Sequence, residues 1–301
     1  MKELLNNKKY FFLKKENFFI NHPICYLTLA GSYAYGINNK NSDIDIRGFF
    51  LDDKNELLTL ENIKEEFIDS QTDTVIYSFR KFIKLLINCN PNILELLGTN
   101  NEHILLVNKI GSLIRDNYSL FLSKKAYDTF IGYASSQLKR LEKIDKITPI
   151  KNFLSLRNDY NVHIYEENED LKININVNNV SLKPFISFIK DMDNCYKINH
   201  RNRKKDDSHL FKHAMHLIRL YLMGIDVLKE QKINTYRHKE HKLLLDIRQG
   251  KMTMEEIFHL QNDLQKEIDL AYKYTQLPEK VNLDKINKLI LYVYNLSKND
   301  F

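Results

Sequence analysis

The chain has 301 residues, which suits one large domain or two modest ones, and 43% of them are hydrophobic, enough for a proper core. With 28% charged residues and no run near the roughly 18 apolar residues of a membrane span, it reads as soluble rather than membrane-embedded. A formal net charge of +6 permits contact with a polyanion without demanding it.

The first residues, MKELLNNKKYFFLKK, carry lysines but no apolar h-region and no small-residue cleavage site, so no signal peptide is expected. Cys25, Cys89 and Cys195 are scattered without CxxC spacing. They predict neither a disulfide framework nor a zinc site, and they suit a reducing, cytoplasmic compartment.

In chain order, residues 24–30 (ICYLTLA) read as a short buried strand that ends at Gly31. Residues 33–42 hold Gly36, three Asn and Ser42, and predict a polar loop with one helical turn. Residues 43–51 open with strict alternation, which puts Asp43 and Asp45 on one side of a strand and Ile44 and Ile46 on the other. Residues 73–78 (DTVIYS) read as a third strand, and 79–88 have apolar positions at helical spacing that stop near Asn90-Pro91. From about residue 102 the pattern is helical, at 102–117 and 123–143, and again at 182–198, 207–229, 254–273 and 283–297. Residues 162–180 interrupt it with alternating Ile and Val and predict a hairpin. The expected fold class is α+β. A domain over 1–120 with a small mixed sheet precedes a mainly helical domain over 121–301.

The chemistry concentrates in AGSYAYGINNKNSDIDIRGFF, residues 30–50. A strand running into Gly31-Ser32 lets backbone approach a triphosphate, and the N–H groups with the Ser32 hydroxyl suit phosphate oxygens. Asp43 and Asp45, at i and i+2 on a strand, aim two carboxylates into one space, as a pair of Mg²⁺ (or Mn²⁺) ions requires. Gly-Ser and DxD are each common alone. Their order after a buried strand is the informative feature. Arg47 shares the DxD face by alternation and suits phosphate or a catalytic carboxylate; a surface arginine is the plain alternative.

The helix expected near 207–229 gathers Ser208, His209, Lys212, His213, His216 and Arg219 into one sector of about 140°. This is either a solvated face or a cleft wall that brings Lys212, His216 and Arg219 to the triphosphate. His209, His213 and His216 have helical spacing for a metal, but no convergent carboxylate or cysteine accompanies them. Arg201, Arg203, Lys204 and Lys205 form a basic cluster suited to RNA phosphates. At 90–97, Asn92 is expected as an N-cap with Glu95 as its capping-box partner; the alternative turns Glu95 to the nucleotide pocket.

The pattern G-S-x10-D-x-D resembles the signature of nucleotidyltransferases of the DNA polymerase β superfamily, and GSYAYG…SDIDIRG resembles its RNA-repair-associated branch. DTVIYSFRKFIKLL with NPNILELL, and KHAMHLIRLYLMG with LLLDIRQG, resemble further segments of that branch. The resemblance implies an NTP substrate (ATP among the possibilities) and two divalent ions. It also implies a third metal-facing carboxylate on the next strand, best met by Asp73, with Glu66 and Asp69 as competitors. An RNA 3′ end is the acceptor it implies first. A protein hydroxyl, a small molecule, or a degenerate non-catalytic module are the alternatives. Nothing in the sequence bears on oligomeric state.

Overall fold

The computed structural model describes residues 2–39, 42–59, 64–141, 161–167, 170–176, 180–196 and 207–300. Contacts divide the chain into two compact units: residues 1–138 together with 211–301, and residues 139–210.

The first unit is built on a five-stranded mixed sheet, in the order β3-β4-β2-β1-β5. The strands are β1 (Ile24–Ala30), β2 (Asp45–Phe50), β3 (Glu66–Asp69), β4 (Thr74–Ser78) and β5 (Ile104–Val107). β2 and β4 run parallel, and the other neighbours are antiparallel. The alternation in β1 and β2 sends Leu27, Leu29, Ile46 and Phe50 to one face, where they pack with Leu5, Tyr10, Leu13, Ile76 and Leu105. Phe49, of opposite parity, meets Phe79 and Phe82 of helix α1 (Phe79–Ile87), with ring centroids 5.7 and 4.6 Å away. Asp45 and Arg47 share Phe49's parity, so they project from the sheet face that carries α1.

Helix α2 (Pro91–Leu97) follows, then α3 (Lys109–Asp116) and α4 (Lys125–Leu141). The expected helix over 102–117 begins only at Lys109, because Ile104–Val107 pairs with β1 as an edge strand. Four apolar residues fit either period, and the free edge of β1 decides between them. Asn90, not Asn92, caps α2: its side chain accepts from the Asn92 N–H, with Pro91 at the first helical position. Glu95 is therefore no capping-box partner.

The second unit holds the expected hairpin, β6 (Asn161–Glu167) against β7 (Asp170–Asn176), and helix α5 (Leu182–Tyr196). Helix α6 (Asp207–Glu230) leads back into the first unit, and α7 (His241–Arg248), α8 (Met254–Tyr274) and α9 (Leu283–Asp300) complete it. The compact units differ from the division at residue 120 because these late helices return to the sheet. Tyr294 of α9, for example, donates to Asp52 Oδ2 at 3.0 Å and sits edge-on to Phe79. Among the described residues, no helix is long and apolar enough to cross a membrane.

Candidate active site

β1 pairs with β2 through to Ala30 opposite Asp45, and Gly31 comes next. Gly31 has φ +58° and opens a single helical turn, Gly31–Ala34. A Cβ on Gly31 would lie 2.2 Å from Asp45 Oδ2, so glycine is required both for the backbone conformation and for the carboxylate beside it. Ser32 is half-buried within the same turn.

Asp73 closes the β3–β4 turn in the left-handed region at φ +47°. Aspartate tolerates that conformation better than most residues. Arg47 clamps it twice: its Nη1 donates to the Asp73 carbonyl, and its Nη2 donates to Asp73 Oδ1 at 2.9 Å. The same guanidinium stands 3.6 Å from Asp45 Oδ1. Burial first, then a hydrogen bond to Asp73, push the Asp45 carboxyl up to about 6. The hydrogen bond from Asp45 first, then Arg47, hold Asp73 below the ordinary carboxylate range. The two acids thus titrate as a coupled pair, Asp45 displaced upward and Asp73 downward. The charge of Lys212 reaches both.

The competing acids are used elsewhere. Asp69 Oδ2 accepts from the Thr72 N–H and hydroxyl and shapes the turn. Glu66 is paired with Lys81 at 2.8 Å. Asp43 lies just ahead of β2 and is exposed, so the strand itself carries only the second carboxylate of the DxD pair.

Among the described residues no three His, Cys, Asp or Glu side chains converge as a metal cluster. Asp45 and Asp73 nevertheless fit a hard divalent cation: the donors are all carboxylate oxygen, and the missing side chain at Gly31 makes room for Asp45 Oδ2. Mg²⁺ is commonly held by one or two carboxylates, with substrate phosphates and water filling the remaining positions.

Residues 7–292 match the RNA repair pathway DNA polymerase beta family. The chain belongs to that family. It is thereby a polymerase β-type protein of RNA repair, which supports nucleotidyl transfer as its chemistry. No curated protein and no solved structure matches it.

In this family member a second cluster sits behind the Gly31-Ser32 turn. Tyr35 donates to the Glu95 carboxylate, 2.8 Å from each oxygen. Arg219 Nη1 donates to Glu95 Oε2 at 2.8 Å, and its guanidinium lies 3.9 Å from the Tyr35 ring centroid. Thr235 and Thr99 hydroxyls donate to the Glu95 carbonyl at 2.5 and 3.2 Å. Burial works against the Arg219 charge, but Tyr35 and Glu95 outweigh it and its proton is held more tightly than usual. Arg219 is therefore turned into the protein onto Glu95, not out to the carboxylates, and Glu95 faces neither a cap nor open solvent. Behind Gly36, at φ +72°, a Cβ would overlap the Tyr236 ring, while His241 Nε2–H donates to the Gly36 carbonyl at 2.8 Å.

The rest of the α6 stripe divides. Lys212 is exposed and His216 half-buried, edge-on to Tyr35 with centroids 6.2 Å apart. Burial first, then the charges of Arg219, Lys212, His213 and Arg248, push His216 well below its ordinary value, so the imidazole is neutral. His213 Nδ1 meets Gln137 Oε1 at 2.9 Å rather than a metal partner. The basic cluster Arg201, Arg203, Lys204 and Lys205 and the His209 side chain lie outside the described residues. Tyr35 and Arg248 were not assigned from sequence, and Glu95 was read there as a capping-box partner or a nucleotide-pocket residue, not as the partner of Arg219. Each lies inside a segment whose resemblance to the family was legible, but nothing in a linear pattern says that those segments meet.

Proposed function

We propose that the protein transfers an NMP from an NTP to an acceptor hydroxyl, and that the acceptor is an RNA 3′ end. The acceptor oxygen forms a bond to the α-phosphorus and the bond from that phosphorus to the β-bridging oxygen breaks. Pyrophosphate leaves with the electron pair, and the acceptor proton is released. Asp43, Asp45 and Asp73 are the residues to hold two Mg²⁺ or Mn²⁺ ions, which when bound would stabilise the attacking and leaving oxygens. Gly31 allows close backbone approach to the phosphates, and the Ser32 hydroxyl donates to them. Arg47 holds Asp73 in register with Asp45 and keeps its carboxylate ionised. Lys212 and the neutral His216 face the phosphates from α6. Arg219 acts one step back by holding Tyr35, and with it the turn that bears Ser32.

The observation that carries this reading is that Arg47 joins Asp45 and Asp73 through one guanidinium while Gly31 makes room for the Asp45 carboxylate. The family match is the reason to place RNA first. Each α-³²P-labelled NTP is incubated with the protein, Mg²⁺ or Mn²⁺, and separate pools of RNA, protein and small molecules. Label appearing in RNA and removed by 3′ exonuclease is the expected result. Label confined to protein or to a small molecule would replace the acceptor, and no label with any NTP would remove the reaction.

A further inference from the structure

Arg248 is the last residue of α7 and no described residue accepts from it. Its Nη1 is buried without a hydrogen-bond partner. Burial alone depresses its affinity for a proton, with no acid counteracting it. The C-terminal carbonyls of α7 favour a cation in the last turn, but that dipole is a weak counterpart for a half-buried guanidinium.

Its placement is fixed at both ends of the helix. His241, at the start of α7, is bound to the carbonyl of Gly36 in the loop that follows the Gly31-Ser32 turn. Arg248 comes seven residues later, two turns on, and so lies on the same face of α7 as His241. Just beyond it, Gly250 at φ +70° brings the backbone so close to Phe211 that a Cβ would stand 2.9 Å from its ring. That contact seats the end of α7 on the start of the α6 segment that carries Lys212 and His216. The charge of Arg248 bears on His216, as do those of Lys212, His213 and Arg219. Of these, Arg219 is paired with Glu95, and the charge of Lys212 also acts on Asp45 and Asp73. Arg248 has no acid partner among the described residues.

We propose that Arg248, with Lys212 and His216 beside it, binds the terminal phosphates of a nucleoside triphosphate. A planar guanidinium matches two phosphate oxygens at once, and a recessed one suits a compact triphosphate better than an extended backbone, which exposed lysines and arginines track. The assignment rests on the NTP reading above, and it makes the site selective for triphosphates over monophosphates whatever the base.

The test uses inorganic tripolyphosphate with Mg²⁺ as a base-independent probe, by calorimetry and by melting, on wild type, Arg248→Gln and Arg248→Lys. Wild type binds the probe and melts higher with it. Arg248→Gln weakens binding about tenfold or more, the worth of a charge-assisted contact, and Arg248→Lys falls between. Without the probe, Arg248→Gln melts at or above wild type, because removing a half-buried unpaired charge relieves the fold. Binding of an RNA oligonucleotide stays within about twofold, since one recessed contact is absent from the RNA track. Three results would overturn the assignment: tripolyphosphate binding unchanged in Arg248→Gln, RNA binding lost in its place, or a lower melting temperature in both variants without the probe. Arg248-dependent tripolyphosphate binding without NMP transfer to any acceptor would refute the reaction and leave the phosphate site standing. Transfer with Arg248-independent binding would do the reverse.

Discussion

Two clusters of carboxylate and arginine flank the Gly31-Ser32 turn, and they differ in how charge is balanced. At Asp45–Asp73–Arg47, one guanidinium serves two acids, and the side chains stay open, with Asp73 56% and Asp45 25% exposed. At Tyr35–Glu95–Arg219, one guanidinium serves one acid, and both are closed off, at 4% and 6% exposure. The first sets two carboxylates, open to solvent, against one guanidinium. The second is neutral as a pair and buried. The stoichiometry separates a site built to accept a cation from a strut built to hold the loop beside it.

If that distinction is right, the two clusters should answer mutation in opposite ways. Asp45→Asn is expected to lower NMP transfer by about 10³-fold or more, as loss of a principal charge-stabilising group does. It should leave the melting temperature unchanged or raised, because it relieves carboxylate crowding. Turnover of labelled NTP alongside a melting curve reads both, and a destabilised Asp45→Asn would make that cluster a strut as well. Glu95→Gln should do the opposite and cost about 3–5 kcal/mol of stability, because it leaves Arg219 buried without its acid. Denaturant unfolding measures it, and the double variant Glu95→Leu/Arg219→Met should recover much of the loss. A Glu95→Gln protein as stable as wild type would remove the strut.

Gly31→Ala sharpens the comparison at the place where the clusters meet. The methyl group must displace Asp45 and occupy a left-handed conformation, for about 1–3 kcal/mol of strain and about a 10²-fold loss of turnover. A crystal structure or activity assay in which Asp45 is undisturbed would show the close approach to be unimportant. The smallest effect is expected of Ser32→Ala, about 1.5–3 kcal/mol in NTP affinity or transition-state binding, since the backbone donors remain. Calorimetry with an unreactive NTP analogue showing no change, together with unchanged kinetics, would take Ser32 out of the site.

The strands of the DxD region and the long helices were legible because their periods are unambiguous over many residues. Residues 104–107 were not, since ILLV fits a helix as well as it fits the free edge of β1. In the site, Gly31 and Asp45 were legible because strand pairing makes them neighbours soon after they appear in the chain. Asp73 was reachable from the resemblance, and what distinguishes it from Asp69 and Glu66 is their commitment to the turn and to Lys81. Arg219 looked like a member of a polar helical face, and linear spacing could not reveal that Glu95, from a helix far earlier in the chain, would turn it inward. Arg248 was hidden for the same reason: that its Nη1 finds no partner among the described residues shows only in three dimensions.

The central claim is that Asp45 and Asp73 hold a divalent cation in company with a nucleotide. Mn²⁺ binding followed by electron paramagnetic resonance, with an unreactive NTP analogue present, tests it most directly in wild type, Asp45→Asn and Asp73→Asn. Wild type should bind Mn²⁺ cooperatively with the analogue, and both variants should lose that binding by about tenfold or more while remaining folded. Mn²⁺ affinity within about twofold of wild type in both variants would contradict the account.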